Sequence, residues 1–268
     1  MKMRKINNLL LLALLGIVSI AVTFGGCSTT GNNKPNTTSA NKTPVDNKAA
    51  LELYAKAPAG AQPPNTLGPA TATVTIEEFA DYQCPTCAAV HTKMKEINSL
   101  YSGRIKFVFR SFPLQMHKNA YDAAVAAEAA GQQGKYWAMQ DQLFTNQTAW
   151  ANSSEVRKIF DEYAQKIGLD VAKFQTDMAG LITKNRVDAD LARGRALVIT
   201  GTPTVYINGN KLSYEQTDVN PMRQIIDAEL QKATSQPQSN APANQAPANQ
   251  TSTNSAANQS TNTAIVNK

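Results

Sequence analysis

Cys84 and Cys87 stand two residues apart in the stretch FADYQCPTCAAVH, residues 79–91, directly after an apolar run. Two thiols at that spacing could hold a metal, staple a small fold or shuttle electrons. The staple is the weakest use, because a bridge across two intervening residues closes a tiny loop and the entropy it removes from the unfolded chain grows with loop length. A structural zinc site wants four ligands, and the only histidines are His91 and His117. On a helix that starts at Cys84, His91 would lie about 10 Å along the axis, too far to share an ion. No metal is expected, and His91 reads as a surface histidine. Redox exchange, by contrast, needs two thiols close enough to bridge, with one of them exposed and acidified.

A helix start supplies the acidification, since its free N–H groups and dipole favour a thiolate and can draw a thiol from about 8.5 down to roughly 3.5–7.5. The surrounding residues predict such a start. ATVTIEEF, residues 72–79, carries the β-branched Val74, Thr75 and Ile76 and reads as a strand. Pro85 suits the first turn of a helix, where its missing N–H is harmless. Val90, Met94, Ile97 and Tyr101 then form one apolar stripe, Gly103 ends the helix, and RIKFVF, residues 104–109, is a second strand. A C-x-x-C pair at the helix start of a βαβ unit points to redox chemistry.

The ends of the chain carry no chemistry of this kind. Lys2, Arg4 and Lys5 precede an uncharged apolar run from Leu9 to Val22, shorter than the roughly 20 residues of a membrane span, and small residues follow. That is the order of an export signal. Phe24-Gly25-Gly26-Cys27 resembles the bacterial lipoprotein box, which implies a signal peptide over residues 1–26, lipid on Cys27, and a protein held on the extracytoplasmic face of a bacterial membrane. Residues 27–66 are poor in large apolar side chains and read as a flexible tether, while 234–268 read as a disordered low-complexity tail with APANQ repeated. One domain's length remains, 67–233. The formal charge of +6 includes the three basic residues of the leader, and the rest are scattered without interleaved aromatics, so no nucleic-acid partner is expected.

Four stretches together resemble the thioredoxin superfamily, and within it the DsbA-like thiol-disulfide oxidoreductases: FADYQCPTC at 79–87, FRSFPL at 109–114, AAEAAGQQGKYWAMQDQLF at 126–144 and GTPTVYINGN at 201–210. The resemblance implies an α/β thioredoxin fold, a central mixed sheet flanked by helices, with a helical insertion at about 113–200 between its βαβ and ββα halves. It also implies a cis Pro203 opposite the cysteines, with Thr202 presenting its backbone to a substrate chain. Glu78, six residues before Cys84, matches the family's buried acid behind the second thiol. Alternation puts Glu77 and Glu78 on opposite strand faces, so at most one can serve; in the alternative reading one faces solvent and the other merely satisfies a neighbour. Within the insertion Ser153 reads as the cap of a helix carrying Val156, Ile159, Phe160, Tyr163 and Ile167, and Asn220-Pro221 reads as the start of the closing helix. The inner dipeptide Pro85-Thr86 departs from the Pro-His of the best-known oxidants and predicts a weaker one.

The expected mechanism has Cys84 as the exchanging sulfur, Cys87 resolving the mixed disulfide, Thr202 and Pro203 holding the partner's backbone, and Glu78 relaying a proton, with no cofactor. Expected partners are reduced or misoxidised exported proteins, a membrane quinone-linked thiol oxidase for recycling, and the membrane itself through Cys27. Two alternatives stay open: an envelope reductase serving cytochrome maturation or thiol repair, and a tethered lipoprotein that only binds.

Overall fold

The computed structural model describes residues 47–235. The leader, Cys27 and nearly all of the tail fall outside them. Strand β2 (Val74–Ala80) is the axis of a five-stranded sheet ordered β1-β3-β2-β4-β5. It runs parallel to β3 (Ile105–Ser111) and antiparallel to β4 (Thr204–Ile207); β1 (Asn65–Leu67) and β5 (Asn210–Lys211) close the two edges, antiparallel to β3 and β4. Helix α2 (Pro85–Leu100) connects β2 to β3. Its buried side chains are Cys87, Val90, Met94 and Ile97, and Gly103, at φ +74, makes the turn into β3.

Between β3 and β4 lie α3 (Ala120–Gly131), α4 (Tyr136–Thr145), α5 (Gln147–Trp150), α6 (Val156–Lys166), α7 (Val171–Ala179) and α8 (Leu181–Ala196). The alanine-rich α3 is buried along most of its length, and its small side chains let α4, α7 and α8 pack directly on it. Helix α8 comes as close to the sheet: a Cβ added at Gly194 would meet the Phe112 ring at 2.4 Å. Val156 and Phe160 face the core as the stripe predicts, but α6 starts at Val156, and Ser153, whose hydroxyl accepts the Glu155 N–H, lies two residues too early to be its cap. The closing helix, α9 (Val219–Ser235), starts one residue before Asn220, so Asn220 and Pro221 sit inside its first turn.

Two expectations are corrected. Residues 47–66, assigned to the tether by composition, carry helix α1 (Asn47–Lys56), strand β1 and a backbone strap docked on the sheet. What orders them is polar: Arg110 donates to the carbonyls of Ala59 and Ala61, Arg193 to that of Pro58, and Asp190 accepts the Ala61 N–H. A low apolar content does not report such bonds. The second concerns the acidic pair on β2. Glu77 and Glu78 do face opposite ways, yet both are buried, because the central strand is covered on both faces.

Candidate active site

Cys84 is the N-cap of α2, in extended conformation (φ −74°, ψ 120°), with Pro85 as the first helical residue. Its N–H donates to the Asp81 carbonyl at 3.1 Å and its own carbonyl accepts from Ala88 at 3.2 Å, so the turn is fixed from both sides. One turn on, Cys87 is fully buried; Cys84, expected to be the exposed thiol, is itself buried at 7% exposure, with the Thr202 carbonyl against it, and both cysteines are free thiols. The Cys84 thiol is drawn down to about 5. A hydrogen bond from the Cys87 thiol lowers it most; burial opposes this, and the amides of Cys87 and Thr86 at the open helix end lower it further. Cys87 is pushed the other way by burial first, then by its hydrogen bond to Cys84 and the charge there. One sulfur is thus held as an anion while its neighbour keeps the proton.

The loop before β4 reaches the same sulfur. Cys84 Sγ lies 3.5 Å from the Thr202 carbonyl oxygen, and the Thr202–Pro203 peptide bond is cis. A cavity of about 410 Å³ opens beside this loop, with Pro203, Thr204, Lys211, Ser213 and Tyr214 in its wall. The structure therefore brings Cys84, Cys87, Thr202 and Pro203 together.

Glu78 is placed differently. It is buried on β2, and its carboxyl makes no hydrogen bond or ion pair among the described residues, to either thiol or elsewhere. Burial alone raises its carboxyl to about 8, so it is protonated at neutral pH. Glu77, on the other face, accepts from Arg193, Arg110 and Tyr54. Burial would raise its pKa, but the hydrogen bonds and charge of Arg193, helped by Tyr54 and Arg110, hold it below the usual range.

Several positioning residues escaped the sequence reading. Asp81 accepts three hydrogen bonds, from the Gln83 N–H at 2.7 Å, the Leu114 N–H at 2.8 Å and the His117 ring at 2.7 Å. Gln147 donates to the carbonyls of Tyr82 and Cys84, at 2.7 and 2.9 Å. Gln83 accepts the Asn119 N–H and donates to Ala151, while the Asn119 amide binds the carbonyls of Trp150, Ala151 and Ser153. These bonds fasten residues 81–84 to the helical insertion. The only sequence signal for them is an Asp and a Gln in the turn before a helix start, a place where side chains often cap backbone groups. His91 is not on the open surface: its ring stacks on Phe144 at 4.7 Å and meets Asp141 at 3.2 Å.

Comparison with known proteins agrees with this architecture. A family model described as Thioredoxin matches residues 61–228, more than half of the chain. The Na(+)/H(+) antiporter NhaA 1 of Mycolicibacterium gilvum is 34% identical over 143 residues, covering 52% of this chain and 22% of that protein. The chain thus spans only about a fifth of the length of the curated relatives it matches. Among solved structures, BdbD from Bacillus subtilis in its oxidised form is 23% identical, with a TM-score of 0.55 over 65% of this chain and 98% of that one. The thiol-disulfide exchange protein alpha-DsbA2 from Wolbachia pipientis is 19% identical, with a TM-score of 0.54 over 68% of this chain and 96% of that one. In fold, the mixed sheet flanked by helices is that of DsbA-like structures.

Proposed function

The chain belongs to the thioredoxin family, and from that premise we propose that it is a thiol-disulfide oxidoreductase that donates disulfides to exported proteins through Cys84 and Cys87. The observation that carries the reading is the split between the two thiols: Cys84 drawn to about 5 at a helix start, Cys87 pushed up behind it, and the Thr202 carbonyl against the first sulfur. A stable Cys84 thiolate favours the reduced form of the couple, and a protein whose reduced form is favoured gives its disulfide away.

In that direction a substrate thiolate attacks the Cys84 sulfur of the Cys84–Cys87 disulfide, and Cys87 leaves and takes up a proton. A second substrate thiolate then attacks the substrate sulfur of the mixed disulfide, and Cys84 leaves as the thiolate. Two substrate thiols lose two electrons to the pair. Glu78, protonated at neutral pH, can supply the proton to Cys87 in this direction and take it back when Cys87 attacks. The backbone edge of Thr202 would steady the substrate in extended form.

The wider setting belongs to the same proposal. Lipid on Cys27 would hold the enzyme outside the cytoplasm, where disulfides persist, and a membrane quinone-linked oxidase would restore its disulfide. Equilibration of the full chain with glutathione buffers tests the direction. The Pro85-Thr86 dipeptide sets the expectation between roughly −120 and −230 mV, with refolding of a reduced, scrambled substrate faster than insulin reduction. A value near about −270 mV with rapid insulin reduction makes it a reductase instead. Inactivity in both assays leaves a binding module.

A further inference from the structure

Asp81 stands three residues before Cys84 with a fully buried side chain, and among the described residues its only ion-pair partner is His117. A carboxylate only accepts, so the ring nitrogen facing it, Nδ1, carries the hydrogen, whether the ring is neutral or cationic. The remaining donors to Asp81 are backbone N–H groups, of Gln83 within the loop and of Leu114 at the entrance to the insertion. The peptide carbonyl of Asp81 in turn fixes the Cys84 N–H. Histidine, carboxylate, loop and thiol thus form one chain of contacts, with the imidazole at its outer, partly exposed end.

The open amides of α2 favour a thiolate at Cys84, while the Asp81 carboxylate in the preceding turn takes its donors from Gln83, Leu114 and His117. A negative charge left without such donors beside the helix start would count against a second anion there. An imidazole N–H on the carboxylate offsets its charge and keeps the turn in register. We infer that His117 is a positioning residue of the Cys84–Cys87 couple, acting through Asp81 to hold the turn before the helix and to set the reactivity of Cys84. The inference deepens the thiol-disulfide reading and rests on it. Loss of the ring leaves the buried carboxylate with two donors instead of three, loosens the turn and strengthens the repulsion, and all three effects disfavour the thiolate. A purely structural His117 would change stability and leave the thiol as it was.

The test uses the reduced full chain with the ring removed (His117→Ala), replaced by another N–H donor (His117→Gln), and removed again in an Asp81→Asn background. The readouts are thiolate absorbance against pH and the rate of iodoacetamide alkylation at Cys84. His117→Ala is expected to cut the alkylation rate near the wild-type midpoint about three- to tenfold, while His117→Gln stays within about twofold of wild type. In the Asp81→Asn background, loss of the ring is expected to change the rate less than about twofold, because the charge it offsets is gone. A folded His117→Ala chain that alkylates like wild type overturns the inference. If that variant does not fold, His117→Phe, which keeps a ring but has no N–H donor, takes its place: alkylation about three- to tenfold slower upholds the inference, and a wild-type rate overturns it. Wild-type insulin reduction and refolding, run alongside, test the enzymatic reading separately. An inactive wild type whose Cys84 still responds to His117 sinks that reading and leaves the positioning intact.

Discussion

The Cys84 sulfur and the Thr202 carbonyl oxygen, 118 residues apart in sequence, lie 3.5 Å apart in the fold. The contact joins the helix start that activates the thiol to the loop that would carry a partner's backbone. Exchange should therefore run through Cys84 alone. Cys84→Ser is expected to reduce insulin reduction and refolding activity to background, whereas Cys87→Ala should accumulate covalent partners that non-reducing gels resolve and a reductant releases. Partners trapped equally well by Cys84→Ser would sink the assignment of roles.

The depressed thiol of Cys84 makes the stability of the reduced protein depend on pH. Its folded pKa, about 5, lies below the ordinary value of 9.0, so the stabilisation is complete above about pH 9 and is lost as pH falls through about 5. At pH 7 it should amount to on the order of 1–2 kcal/mol, allowing for water that screens the mouth of the site. The oxidised protein has no such thiol. Urea unfolding of both forms from pH 5 to 8 should show the reduced form gaining on the oxidised one as pH rises. A pH-independent difference would mean that Cys84 ionises like a free thiol.

Glu78 has the opposite sign. Its carboxyl ionises at about 8 in the folded protein against an ordinary 4.5, so the unfolded chain sheds the proton first and stability falls as pH climbs between those values. Glu78→Gln removes that liability. The variant should match wild type near pH 4 and exceed it at pH 8 by on the order of 3–5 kcal/mol. If Glu78 is also the proton relay, release of a mixed disulfide by Cys87 should slow about tenfold or more in the same variant. Added stability without slowed release would assign Glu78 to the interior alone.

The helix start, the two flanking strands and the late Thr202-Pro203 element were legible because each is written in local chemistry: β-branched runs, a proline at the first turn, an apolar stripe. Asp81, Asn119, His117 and Gln147 were not, because apart from the Gln83 N–H on Asp81 their partners lie 31 to 65 residues away and are mostly backbone groups, which leave no mark on composition or periodicity. The same blindness explains the strap. Residues 58–61, Pro-Ala-Gly-Ala, have no large apolar side chain, and nothing local says that two guanidinium groups from β3 and α8 will take the carbonyls of Pro58, Ala59 and Ala61. Burial of both Glu77 and Glu78 likewise depends on helices covering both faces of β2, which alternation along one strand does not report.

That strap carries the last prediction. Arg193 gives two hydrogen bonds to Glu77, at 2.9 and 2.8 Å, and one to the Pro58 carbonyl, and its guanidinium lies 4.8 Å from the centre of the Tyr54 ring. Arg110 bridges Glu77, Asp190 and the carbonyls of Ala59 and Ala61. All four charges are buried, so removing Arg193 leaves two carboxylates, Glu77 and Asp190, to share the one guanidinium of Arg110, at a cost of about 3–5 kcal/mol. Arg193→Met should lower the free energy of urea unfolding by that amount and expose residues 57–61 to limited proteolysis before the rest of the domain unfolds, because the Pro58 carbonyl has lost its donor. Adding Glu77→Gln should recover part of the stability, since the stranded charge is gone, but not the protection, since the carbonyl is still unpaired. Recovery of both together would show that the strap is held by packing of α1 rather than by the guanidinium groups.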